Sequence, residues 1–138
     1  MERDPIAARL ADLSLFADVP WPELEAIAHT FEEGVFAAGQ RVLRKGLGGH
    51  ALYIVLEGRG SVLLDGQELA LVERGDFFGE TSVLLREAPS ADVQARTLLR
   101  CLVVPGPAVE SFLLDHPTVM LRMLKAEARR LRGASERW

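Results

Sequence analysis

Between Val35 and Val104 the chain is cut into short apolar runs by turns that carry glycine: Gly39, Gly46 with Gly48 and Gly49, Gly58 with Gly60, Asp65-Gly66, and Gly75-Asp76. Runs this short, at near-regular spacing, predict a double-layered or closed β structure: a sandwich, roll or barrel. Ala51-Leu-Tyr-Ile-Val-Leu56 is apolar throughout and reads as a strand buried on both faces. Asp65-Gly66 separates Ser61-Val-Leu-Leu64 from Glu68-Leu-Ala-Leu-Val72. Both central residues of a type I′ turn take positive φ, which Asp tolerates and Gly adopts freely, so a tight hairpin is expected there. Strand texture breaks once, over residues 79–88, where helix formers take over. It returns at Ala91–Ala95 and runs through Cys101 to Val104, where Pro105-Gly106-Pro107 stops it.

Helical patterns flank this region. Leu10, Leu13 and Phe16 are spaced for one helical face. Pro22 suits the first turn of a second helix carrying Leu24, Ile27, Ala28 and Phe31, and Gly34 marks the change of state. Beyond the β region a helical stretch covers about 108–114. After His116-Pro117 a last helix runs from about Thr118, as N-cap, to Arg132. Met120, Leu124, Glu127 or Ala128, and Leu131 form one stripe on it, which packs either on the chain's own β layer or on a second copy. The fold class expected is α+β, mainly β: a double-stranded β-helix (a jelly-roll-like β-roll) flanked by N-terminal helices and a C-terminal helix. The 138 residues give one domain, with N-terminal helices in 1–34, the roll in 35–104 and C-terminal helices in 108–132.

Several function classes drop out. A net charge of −4 argues against whole-surface attraction to nucleic acid. Lys125, Arg129, Arg130, Arg132 and Arg137 read as the solvated, dipole-complementing end of the last helix. Met1–Asp12 lacks the apolar core of a secretion signal, and no run is long enough to span a bilayer, so a cytoplasmic protein without membrane association is expected. Cys101, the only cysteine, sits among Leu99, Leu102, Val103 and Val104 and reads as a buried strand thiol. No nucleophile elbow, Walker loop, dinucleotide fingerprint or paired metal ligands occur, and His29, His50 and His116 are scattered. Neither an enzyme, nor a bound metal, nor a cofactor is expected.

One ordered set of residues points further. Gly46, Ala51-Leu-Tyr-Ile-Val-Leu-Glu-Gly58, Gly75-Asp-Phe-Phe-Gly-Glu80, Ser90-Ala91 and Val93 resemble the cyclic-nucleotide-binding domain of catabolite-activator-type regulators, cyclic-AMP-dependent kinase regulatory subunits and cyclic-nucleotide-gated channels. The likeness runs from about Leu13 to Leu131. It implies a phosphate-binding cassette at 78–91, a short helix whose N-terminus faces the cyclic phosphate. It also implies that Phe78, Gly79, Glu80, Thr81, Ser82, Ser90 and Ala91 contact the ligand, with Glu80 accepting from the ribose 2′-hydroxyl. The ligand implied is cAMP, with cGMP second, and an unknown protein partner reads its occupancy.

The cassette departs from the family at one position. Pro89 stands where the phosphate-pairing arginine belongs, and proline brings neither charge nor backbone donor. A hydrogen bond to a charged group contributes roughly 1.5–3 kcal/mol, so the loss matters. Arg86 is the candidate substitute phosphate cation, with Arg96 a weaker one, and Leu47 and His50 stand where acidic residues are common in the family. Trp21 and Trp138 are candidates to stack on a base. Three readings stay open: a sensor module without its own effector domain; a degenerate fold that binds no cyclic nucleotide and serves as an interaction or structural module; and a transcription regulator fragment lacking its helix-turn-helix. No such motif follows the last helix before Trp138, so direct DNA binding is not expected, while a homodimer through the C-terminal helix is one option.

Overall fold

Residues 3–47 and 50–135 are described in a computed structural model of the chain. The chain starts with α1 (Pro5–Ala11), a 3₁₀ turn (Ser14–Phe16) and α2 (Trp21–Thr30). Asp4 caps α1: its carboxylate accepts from the Ile6 and Ala7 amides at 2.8 and 3.1 Å, and Pro5 fills the first position, where no donor is missed. Its other oxygen lies 3.1 Å from His29 Nε2, which ties the start of α1 to the end of α2. Leu10, Leu13 and Phe16 are all buried, but not on one helix. The Asp12 amide folds back onto Arg9 and Leu10 carbonyls, ending α1, and the 3₁₀ turn restores the inward direction. Phe31 also falls outside α2. It is extended, and its ring meets that of Phe112 edge-on at 5.5 Å.

The roll consists of two four-stranded antiparallel sheets. One orders β1 (Glu32–Phe36), β8 (Leu99–Pro105), β3 (Ala51–Glu57) and β6 (Phe77–Phe78). The other orders β2 (Arg41–Leu43), β7 (Asp92–Ala95), β4 (Gly60–Leu64) and β5 (Gln67–Val72). The side-chain period of two explains the all-apolar β3: Leu52, Ile54 and Leu56 face the helices, while Val55 faces the roll interior. Its neighbour β8 divides likewise, with Leu102 and Val104 toward the helices and Leu99 and Cys101 inward. Truncating one such residue to alanine costs about 2–5 kcal/mol. The β4–β5 hairpin turns at Asp65 (φ 51°) and Gly66 (φ 81°), the two positive values that a type I′ turn needs. Gly34 does not mark the change of state, because β1 begins two residues earlier. A Cβ on Gly34 would lie 2.8 Å from the Val103 side chain, so close strand packing calls for glycine there.

Two helices complete the chain, α4 (Gly106–Asp115) and α5 (Pro117–Ser135). Thr118 lies inside the first turn of α5 and is not its N-cap; Pro117 precedes it there, where a fixed φ and a missing N–H suit a helix start. The start of α5 is held twice on the N-terminal layer. His116 Nδ1 lies 2.6 Å from Glu23 Oε1, and Arg122 donates to the Leu15 and Ala17 carbonyls at 3.1 and 2.6 Å. Val119 and Met123 are the buried residues of α5. The expected stripe splits: Met120 leans partly inward, whereas Leu124 and Leu131 are 63% and 70% exposed. No described helix is long and apolar enough to cross a membrane. The Gly48-Gly49 turn, Arg137 and Trp138 lie outside the described residues.

Candidate functional site

Strand β6 sets the geometry of a cavity that touches the predicted cassette. Phe78 pairs with Tyr53 of β3, and their rings stack at 4.8 Å, which fixes where the strand ends. The next residue, Gly79, has φ 87° and caps the short helix α3 (Glu80–Leu85). A Cβ on Gly79 would stand 2.3 Å from the Ala51 carbonyl oxygen, so only glycine lets the chain pass β3 this closely. That passage carries Glu80 inward, where it is 5% exposed.

The surroundings of Glu80 are unusual for a carboxylate. One oxygen, Oε1, takes Arg130 Nη1 and the Thr81 hydroxyl, each at 3.3 Å. The other, Oε2, is buried without a hydrogen-bond partner among the described residues. Burial first, then a side-chain hydrogen bond with the Glu127 carboxyl and repulsion from it, push the Glu80 pKa up from 4.5 to about 7, against weaker pulls from the Glu80 amide and then Arg130. Glu127 thus lies within side-chain hydrogen-bonding reach of Glu80 when one of the two carboxyls is protonated; with both ionised, Oε2 has no partner among the described residues. Arg130 itself is fully engaged: it donates to the Phe77 carbonyl at 2.7 Å, pairs with Glu127 at 2.8 Å, and lies 4.3 Å over the Phe77 ring.

The cavity encloses about 630 Å³. All seven residues expected to contact a ligand line it: Phe78, Gly79, Glu80, Thr81, Ser82, Ser90 and Ala91. Ser82 is buried and donates to the Gly79 carbonyl, which tightens the turn under Glu80. Val62, Leu69, Leu71 and Val72 from the β4–β5 hairpin form an apolar wall, and Glu127, Arg130 and Gly133 close the cavity from α5. Pro89 lines it as well; its carbonyl accepts from the Gly46 amide at 2.9 Å.

Other candidates are not brought there. Arg86 ends α3 with φ 55°, exposed and outside the lining. Arg96 instead joins a Ser61–Glu68 cluster, with Nε 2.5 Å from the Ser61 hydroxyl. Trp21 belongs to the N-terminal layer, with Arg3 4.6 Å above its ring. Leu47 and His50 are exposed. Glu127 and Arg130 went unrecognised as site residues: their i,i+3 spacing looks like a surface ion pair, and nothing local shows that Glu80, fifty residues earlier, lies beneath them.

Residues 33–116 match the family described as "Cyclic nucleotide-binding domain". Over 119 residues the chain is 27% identical to a cGMP-dependent protein kinase of Toxoplasma gondii, covering 86% of this chain and 12% of the kinase. It is 28% identical to a CRP-like cAMP-activated global transcriptional regulator of Mycobacterium tuberculosis, covering 89% of this chain and 57% of the regulator. The catabolite activator protein of Thermus thermophilus superposes with a TM-score of 0.77 at 26% identity, over 89% of this chain and 60% of that one. The chain therefore spans only part of the length of each of these relatives.

Proposed function

The chain belongs to the cyclic nucleotide-binding domain family, and from that premise we propose that it is a regulatory sensor module that takes a ribose-bearing nucleotide-type ligand in the cavity under α5. The observation that carries this reading is Glu80, a nearly fully buried carboxyl among the cavity-lining residues whose Oε2 has no hydrogen-bond partner among the described residues. Leaving such a group unpaired is costly, and a ligand hydroxyl satisfies it. The apolar β4–β5 wall suits a flat base. Cyclic AMP, ahead of cyclic GMP, is the first ligand to try. Ligand binding shifts α5 only as far as the two helix positions differ in affinity for it, and a partner protein reads the shift. Isothermal titration with cyclic AMP and other ribose-bearing ligands, on wild type and Glu80→Ala, tests the reading. Saturable binding that the variant loses supports it; binding indifferent to Glu80 removes it.

A second reading rests on the outer face of α5. Leu121, Leu124, Ala128 and Leu131 are all exposed and follow a three–four spacing, the seam pattern of a two-stranded coiled coil. In this reading the seam pairs with a second copy of the chain, and the module acts as a dimer without catalytic chemistry or direct DNA contact.

A further inference from the structure

The charges around the cavity fit poorly with an anionic ligand. Asp76, Glu80, Glu87 and Glu127 line it, and Arg130 is the one cation among the described lining residues. Arg130 is already committed to two carboxylates and a carbonyl. At Pro89 there is no side-chain charge and no N–H, and the one polar backbone group left to that residue serves the Gly46 amide. Arg86 is exposed and not among the lining residues. The rest of the lining is apolar wall, the uncharged polar residues Thr81, Ser82 and Ser90, and the Glu80 carboxyl. A phosphate placed here meets several carboxylates in a partly dry cavity with no free counter-charge, where like charges interact strongly. An uncharged ligand with a hydroxyl for Glu80 and a flat body for the wall meets none of that repulsion.

We propose that the cavity selects an uncharged ribonucleoside over the corresponding cyclic nucleotide. This rests on the Glu80 reading above and names the ligand class for it. Phosphate oxygens desolvated there without a partner lower affinity relative to the uncharged ligand by about ten- to a hundred-fold. The raised pKa of Glu80 is in keeping, since a half-protonated carboxyl both donates to and accepts from a sugar hydroxyl.

The experiment is titration of the full chain with adenosine, cyclic AMP, guanosine, cyclic GMP and 2′-deoxyadenosine, followed by adenosine and cyclic AMP on Pro89→Arg and Glu127→Gln. The proposal expects the nucleoside of each pair to bind at least about ten-fold tighter than its cyclic phosphate, and the 2′-deoxy compound to lose that advantage. Both variants should move the ratio toward cyclic AMP, one by adding a cation and the other by removing a carboxylate. Should Pro89→Arg misfold, as judged by its circular dichroism and unfolding midpoint, Glu127→Gln still decides. Cyclic AMP binding as tightly as adenosine to the wild type overturns the selectivity and leaves the Glu80 sensor reading standing. If 2′-deoxyadenosine matches adenosine, or if no ribose-bearing ligand binds the folded protein, both readings fall together.

Discussion

Glu80→Gln separates the cost of burying a charge from everything else Glu80 does. In the folded protein the group titrates near 7, and its ordinary value is 4.5. Between those two pH values the native state holds the proton more tightly than the unfolded chain does. Stability from this group is therefore fully present below 4.5 and is lost as pH rises through about 7. At about 1.4 kcal/mol per pKa unit, the loss amounts to about 3 kcal/mol in alkaline solution. Glutamine keeps the shape and the hydrogen-bonding capacity but cannot ionise. Urea unfolding of both proteins at about pH 5 and about pH 8.5 reads the difference directly. At the lower pH the two should be nearly equal; at the higher, the variant should gain up to about 3 kcal/mol on the wild type. The groups facing Glu80 are Glu127 and Arg130 of α5, so Glu127→Gln should lower the wild-type transition pH. A stability difference between Glu80→Gln and wild type that does not change with pH would refute the reasoning.

Three further outcomes follow from geometry. Gly79→Ala should destabilise by at least about 1–3 kcal/mol from backbone strain alone, with the contact against the Ala51 carbonyl added, measured by urea unfolding; a neutral effect would mean that β6 and β3 separate easily. The Cys101 thiol is buried and pushed up to about 12 by burial and then by Glu33, so a thiol reagent at neutral pH should label it only when the chain is unfolded. Leu121→Glu with Leu124→Glu should convert a dimer to a monomer in light scattering without shifting the unfolding midpoint; a wild type that is already monomeric dismisses the α5 seam.

The strands and the hairpin were legible because their rules are local. An apolar run at β3, an Asp-Gly turn and a glycine where a Cβ has no room each leave a mark within a few residues. The cassette was legible through its likeness to a family, and all seven of its marked residues surround one cavity. What escaped was contact between distant segments. Leu10, Leu13 and Phe16 share a core without sharing a helix, because the chain bends at Asp12. The stripe on α5 mixed inward and outward positions, because a helix lying over the mouth of a cavity buries less of its circumference than one in a bundle. Arg130 read as a solvated arginine, yet its guanidinium carries the closing contact of α5 on the cassette.

The two oxygens of Glu80 differ in what holds them: Oε1 is held by α5 through Arg130, and Oε2 is buried without a hydrogen-bond partner among the described residues, in a carboxyl that lines the cavity. One carboxyl therefore belongs to two equilibria, the seating of the helix and the filling of the pocket. Whatever factor a ligand applies to the affinity of a partner that reads the seating of α5, that partner must apply to the affinity of the ligand. A second copy gripping the outer leucines, as in the second reading proposed above, would then act on the pocket, and protein concentration would enter the apparent affinity alongside the ligand.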